Sequence, residues 1–321
     1  MANSKSVVIA ALVANAAIAA LKFGGFLLTG SAAMLSETYH SVSDTGNQIF
    51  LLIGLRYSER EANRQHPFGY GKAQFFYSLL VSVLLFGIAG WESLRKGYES
   101  LVHHEAHLVL GTVDVAGVTV PGIAVNYAIL IGAIGFEGYA WRKAQRSMED
   151  EIESHGWSGF YEAFRKTSEV STLTALTEDT IAISGLGIAL VGLTLTYLTG
   201  NPVFDGLAAL LIGLALMSFA VALAWENKRL LLGESLPASE EDALRAVVAE
   251  WPTVRRVRDF RTVYFGPDRL LVTADVAFDA DLDTAEIDRE ISTIERHLQD
   301  ENDAVKKVYI EPEAEHPRQP I

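Results

Sequence analysis

Glu37, His40, Asp44 and Asn47 are spaced three, four and three residues apart. On an α-helix that spacing places all four on one face. Further along, Glu178 and Asp179 stand at the entry of an apolar run with a polar lead-in from Ser171. An imidazole and a carboxylate four residues apart offer nitrogen and oxygen donors on adjacent turns, a combination that suits a divalent ion. A plainer reading competes: the stripe lines a watery cavity, and His40 and Asp44 bond only to each other. Of eight histidines, at 40, 66, 103, 104, 107, 155, 297 and 316, only His40 falls inside a membrane-length segment. The chain has no cysteine. Disulfides, thiolate zinc sites, iron–sulfur ligation and cysteine nucleophiles are thereby excluded, and any metal site is built from imidazole and carboxylate.

The elements that position these groups are expected to cross a bilayer. Half of the 321 residues are hydrophobic, high for a soluble protein and low for a chain that is all membrane. Five stretches pass the length test for a spanning helix: residues 6–28, 73–91, 120–141, 181–198 and 206–224. The first is too long for the apolar region of a signal peptide, so a retained helix is expected there. A sixth span is disguised. Residues 34–57 end in an apolar half but begin with the polar stripe, and only a tight turn separates them from residue 28. With six spans and a cytoplasmic N-terminus, 12 Lys and Arg residues face the cytoplasm, while the outer loops hold only Arg95 and Lys96. The positive-inside rule then puts both termini in the cytoplasm, and a bacterial inner membrane is preferred to an organelle.

An acid at the centre of a membrane helix costs roughly 2.5–3.5 kcal/mol even on a lenient scale. Glu37, Asp44, Glu178 and Asp179 together would cost on the order of 10 kcal/mol unless neutralised. Lys22 and Arg56 are the only basic residues in any span, and both lie near ends where they are expected to snorkel. That leaves the acids without an internal cation. The site is expected to hold protons, an imported cation, or both in alternation.

From Glu234 onward there are 21 acids against 11 Lys and Arg. An anionic tail is a poor partner for nucleic acid or anionic lipid. Residues 239–251 read as an amphipathic helix N-capped at Ser239. Strands are expected over 257–265 and 269–278, joined by Gly266-Pro267-Asp268. Ile287, Ile291, Ile294 and Leu298 mark a second helix, and residues 305–310 a last strand. The order αββαβ predicts a small open sheet with helices on one face. The expected division is a membrane domain over 1–232 and a soluble domain over 233–321.

Several motifs resemble one family. Ser31 to Asp44 (SAAMLSETYHSVSD), His66 to Lys72 (HPFGYGK), Asp205-Gly-Leu-Ala and Leu232-Gly233 before the αββαβ tail are similar to the cation diffusion facilitators. Gly69-Tyr70-Gly71, Phe136 to Tyr139 and Glu178-Asp179 resemble the family's organellar zinc-transporter branch. The resemblance runs nearly the whole length. It implies a six-helix transporter domain with a metallochaperone-like (ferredoxin-like) tail, homodimeric, exporting zinc or a related ion in exchange for protons. It further implies His40, Asp44 and Asp179 as ligands between the second and fifth spans, Glu178 as the fourth, and Glu37 or Asn47 behind them.

Three departures stand out. Many members repeat the His/Asp-x-x-x-Asp pattern in the fifth span, but Ala175 stands four residues before Asp179 here. The auxiliary loop site of some members reads Asn63, His66 and Tyr70, so none is expected. The tail keeps only His297 and His316, with Glu311 and Glu313 at the usual last-strand positions, so dimerisation without a tight structural metal is expected.

Imidazole must be deprotonated to bind metal, so protons and metal exclude each other at His40 and the acids. Zinc is favoured by the imidazole and manganese is second because the site is carboxylate-rich; iron, cobalt and cadmium remain open. His66 is expected to fix its loop and His103, His104 and His107 to be solvated. Glu137 is expected either to relay protons or to pair with Arg142, and Asp205 to cap its own helix. A membrane metallohydrolase would need a motif such as His-Glu-x-x-His, which is absent, so no enzyme is expected. A non-transporting metal sensor is the remaining rival.

Overall fold

A computed structural model describes residues 2–103, 111–115, 117–155, 158–159 and 170–313. Among these residues, the first part is built from six long helices. These are α1 (Ala2–Thr29), α2 (Ala32–Ser58), α3 (73–103), α4 (Gly122–His155), α5 (Val170–Thr199) and α6 (Val203–Leu232). Helix α3 is α-helical over Ala73–Leu80, π-helical over Val81–Phe86 and α-helical again over Gly87–His103. The disguised span is therefore one unbroken helix, α2, polar stripe included. Gly30, at φ +67°, makes the turn before it, in a region that disfavours residues with a β-carbon.

Among the described residues, four helical stretches are long and apolar enough to cross a membrane: Ala73–Val102, Gly122–Asp150, Glu178–Thr199 and Val203–Leu232. Helix α1 contributes an apolar run over Asn15–Thr29. Helix α2 is not among the four, since its first half carries the polar stripe from Glu37 to Asn47. Outward-facing Leu21, Leu27, Ile131, Leu198, Leu214 and Val221 are more than half exposed, whereas Lys22, Glu37, His40 and Asp44 are buried. Apolar outside and polar inside is the arrangement a hydrocarbon solvent requires.

One expectation needs adjusting at the edge of α4. Residues 120 and 121 do not begin the helix; they end strand β2 (Val118–Pro121), which pairs antiparallel with β1 (Thr112–Val115). Asp114 accepts the Gly117 amide at 2.8 Å, and Gly117 sits at φ +83°, so local turn chemistry outweighs the apolar run.

Helices α3 and α6 meet along glycines. A β-carbon at Gly97 would lie 2.7 Å from the Leu210 amide nitrogen, and one at Gly213 would lie 2.7 Å from that of Leu94. Gly90 is similarly tight, its β-carbon falling 2.9 Å from the Met217 amide nitrogen, and Gly206 is somewhat looser, 3.2 Å from the Gly97 carbonyl oxygen. Small residues at this seam let two membrane helices pack backbone to backbone.

The tail folds as expected in order: α7 (Ala238–Ala249), β3 (Val254–Gly266), β4 (Arg269–Phe278), α8 (Thr284–Glu301) and β5 (Val305–Pro312). Central β4 pairs antiparallel with β3 and parallel with β5. Its alternating Leu270, Val272, Ala274 and Val276 share one core with Leu244 and Val248 of α7 and with Ile294 and Leu298 of α8. Both helices therefore cover the same face. Ser239 is not the cap of α7: the helix starts at Ala238, behind Pro237, with no side-chain cap. A full capping box opens α8 instead, where Asp283 accepts the Glu286 amide and Glu286 accepts that of Asp283.

The described residues group into two compact units, Met1–Ile49 with Leu80–Leu223, and Phe50–Leu79 with Ala224–Ile321. In the second unit, the loop between α2 and α3 touches the β3–β4 hairpin. A β-carbon at Gly71 would lie 2.6 Å from the Phe265 carbonyl oxygen, and the Phe68 and Phe265 rings are 6.0 Å apart.

Candidate metal centre

The site begins with the way α2 starts. Ser31 Oγ accepts the Met34 amide at 3.1 Å, as an N-cap does. Asp205 of α6 then accepts Ser31 Oγ at 2.7 Å, the Ala32 amide at 2.6 Å and the Ala33 amide at 3.4 Å. Asp205 does not cap its own helix. It supplies a buried anion to the N-terminus of α2, where unpaired amides and the helix dipole favour one.

One turn into α2, Glu37 is fully buried and its Oε2 lies 2.8 Å from Lys22 Nζ. The same ammonium donates to Ser41 Oγ at 2.9 Å. Lys22 is 1% exposed. It does not snorkel, because Glu37 and Ser41 draw it inward, and the acids do have an internal cation. The other oxygen of Glu37 faces α5 so closely that a β-carbon at Gly185 would lie 2.6 Å from it.

Below Glu37, His40 Nε2 and Asp44 Oδ2 are 3.5 Å apart, long for a hydrogen bond. Both ring nitrogens of His40, and Asp44 Oδ1, are buried without a hydrogen-bond partner. Asp44 and Glu178 are within hydrogen-bonding reach of each other. Asn47 donates to both oxygens of Glu178, at 3.3 and 3.4 Å. The structure thus joins His40, Asp44, Glu178 and Asn47 in a chain from α2 to α5. Among the described residues, no three His, Asp or Glu side chains form a ready cage for a metal ion. Asp179 is half-buried beside Glu178.

Two groups here stand outside the ligand set expected from sequence. Glu137 of α4 borders the same cleft as Asn15, Ile18, Ser41 and Asp44, and it feels Lys22, Asp179 and Glu37 electrostatically. Lys22 is the other. Asn15 and Lys22 lie seven residues apart, so two polar residues on one face of α1 were a readable signal. Phe86, at the end of the π-helical stretch, closes the side of His40 at a ring distance of 6.4 Å. It meets Phe219 of α6 edge-on at 4.9 Å.

The other histidines have different surroundings. His66 stacks on Tyr70 at 4.1 Å, and Asn63 donates to the Tyr70 hydroxyl at 2.8 Å. His297 meets Trp251 edge-on at 4.8 Å, and Glu313 pairs with Arg258 at 3.4 Å. His103 closes α3; His104, His107 and His316 lie outside the described residues.

Residues 8–232 match the family model described as the cation efflux transmembrane domain, and residues 236–315 match the cytoplasmic domain of cation efflux proteins. The chain belongs to the cation efflux family. It is 30% identical over 273 residues to the human mitochondrial "Proton-coupled zinc antiporter SLC30A9", covering 85% of this chain and 46% of that protein. Similarity extends to "Metal tolerance protein C4" of Arabidopsis thaliana, 26% identical over 87% of this chain and 58% of the relative. To "Cation-efflux pump FieF" of Serratia proteamaculans it is 29% identical, over 82% of this chain and 80% of that pump. The chain spans about half the length of the SLC30A9 proteins it matches.

Proposed function

We propose that this protein exports a divalent cation across a membrane in exchange for protons, with zinc as its main substrate, bound between α2 and α5. One observation carries the reading. Three buried donor atoms, both nitrogens of His40 and Oδ1 of Asp44, lack hydrogen-bond partners while Glu178 stands opposite. Buried polar atoms in native structures are nearly always satisfied, so atoms that are not call for a ligand. His40, Asp44 and Glu178 are the proposed ligands, with Asp179, next to Glu178 on α5, as the fourth.

The chemistry of exchange follows from the same atoms. Two carboxyl groups in hydrogen-bonding reach share a proton when no cation lies between them. Imidazole binds metal only through a free nitrogen lone pair. A cation entering must therefore displace protons, and protons entering from the other side displace the cation. The names of SLC30A9, a proton-coupled zinc antiporter, and FieF, a cation-efflux pump, support this direction. Both termini then face the cytoplasm, the tail pairs two copies of the chain, and no covalent chemistry is performed.

The purified protein in sealed liposomes should move protons in response to zinc. Asp44→Ala and Asp179→Ala should each abolish that flux while leaving the protein folded, since each removes a costly intramembrane acid. Near wild-type flux in either variant would place the site elsewhere. Manganese is the alternative substrate, because three carboxylates accompany one imidazole.

A further inference from the structure

We propose that Lys22 is a tethered counter-ion of the cation site, which holds Glu37 out of the ligand set and so limits how tightly the transported ion binds. This rests on the placement of the site between α2 and α5. The geometry is specific. Lys22 reaches across from α1 to grip Glu37 at 2.8 Å and Ser41 at 2.9 Å, the residues flanking His40 on the same face of α2. Its charge is also felt by His40, Asp44 and Glu137. Each of these three belongs to the cation site or borders it.

Burying an ion pair is a poor route to stability, because desolvation offsets the Coulomb attraction. A lysine that could have extended toward the membrane surface instead lies 1% exposed inside the bundle. Glu37 stands three residues before His40, on the same face of the helix. Released, its carboxylate is one turn from the imidazole and free to add an anionic oxygen to the shell. Held by the ammonium, it is neutralised, and Gly185 leaves its second oxygen room but no donor. Lys22 thereby removes one negative charge from a crowded acidic site without spending a proton on it. A transporter must release its ion as well as bind it, and a shell with one acid fewer releases more readily.

The two partners make opposite predictions for affinity, which a merely structural pair does not. Zinc is titrated calorimetrically into the full-length protein in detergent micelles, with Lys22→Gln, Glu37→Gln, the double variant, Lys22→Arg and Asp44→Asn compared. Lys22→Gln frees Glu37 and should bind zinc about tenfold more tightly; Glu37→Gln leaves an unpaired ammonium facing a dication and should bind about tenfold more weakly. The double variant and Lys22→Arg should stay within about threefold of wild type. Single variants that shift affinity in the same direction, or not at all, would overturn the proposal and leave the pair a structural one. If Lys22→Gln does not fold, Glu37→Gln against the double variant decides: weaker binding by the single supports the counter-ion, equal binding refutes it. Asp44→Asn separates the two readings. Weakened binding there keeps the cation site in place whatever Lys22 does, and unchanged binding overturns the site itself.

Discussion

Asp205, in the first turn of α6, accepts the backbone amide of Ala32, the first residue of α2, at 2.6 Å. The helix that carries His40 and Asp44 is therefore started by a side chain from another helix. Asp205→Ala would leave the Ser31 hydroxyl and two amides unpaired in a buried place, which costs about 1–3 kcal/mol. Thermal unfolding in detergent should show that loss, and zinc affinity should fall with it although Asp205 touches no ligand. A variant as stable as wild type would mean that α2 is capped by Ser31 alone.

His40→Asp should change which metal is carried rather than stop transport. It exchanges the only nitrogen donor for an oxygen, and all-oxygen shells suit manganese-like ions better than zinc. Uptake into vesicles over a pH series, with zinc and manganese compared, reads the shift. An unchanged metal ratio and pH profile would show that His40 is not a ligand, leaving it to line a cavity.

Gly71→Ala should loosen the loop between α2 and α3 from the β3–β4 hairpin. The added β-carbon would lie 2.6 Å from one backbone oxygen and 2.9 Å from Gly266 Cα, and backbone yields less readily than a side chain. Overpacking of this kind costs about 1–3 kcal/mol. Amide exchange over residues 264–268 should speed up; unaltered protection would mean that the loop moves aside freely.

The tail should lose stability in acid partly through Glu241. Burial raises its carboxyl, but hydrogen bonds from Ser235 and Thr262 prevail and hold it below the ordinary 4.5. A depressed carboxylate contributes stability above its unfolded value and loses it as pH falls through the folded one. Below about pH 4.5, wild type should therefore destabilise more steeply than Glu241→Gln. Parallel pH profiles for the two would assign the acid sensitivity to other groups.

Much of this fold could be read from residue pattern, because it follows from local rules. The stripe from Glu37 to Asn47 kept its period through a polar stretch that hydropathy alone would discard, and β4 alternated as a half-buried strand must. What escaped depended on contacts between distant elements. Lys22 lies near the end of an apolar run, where snorkelling is the sound default; Glu37, fifteen residues on, reverses it. Asp205 has the right type and place for a local cap, but Ser31 and Ala32 are better donors once α6 lies beside α2. Glu137 borders the cleft of Asp44 and Ser41 only through the packing of distant helices, which its own sequence neighbourhood does not show. The capping box at Asp283 is fully local, an Asp followed three residues later by Glu286, and so is legible in the sequence.

The π-helical stretch Val81–Phe86 bears on what changes of length α3 tolerates. A π-helical turn holds one residue more than its α-helical counterpart, and each residue of an α-helix turns the chain by about 100°. Deleting one residue from 81–86 would let the segment relax into ordinary α-helix while leaving everything beyond it facing nearly the same way, because the wider turn with its extra residue winds the chain about as far as an α-helical turn without it. Gly90 and Gly97 would keep facing α6, whereas the same deletion made in the α-helical part before them would swing them off it and bring β-carbons against its backbone. Substitutions that preserve the residue count leave this alignment alone. The second half of α3 thus keeps its frame with or without the supernumerary residue, and a one-residue deletion within 81–86 should be tolerated where the same deletion elsewhere in α3 should disable the protein.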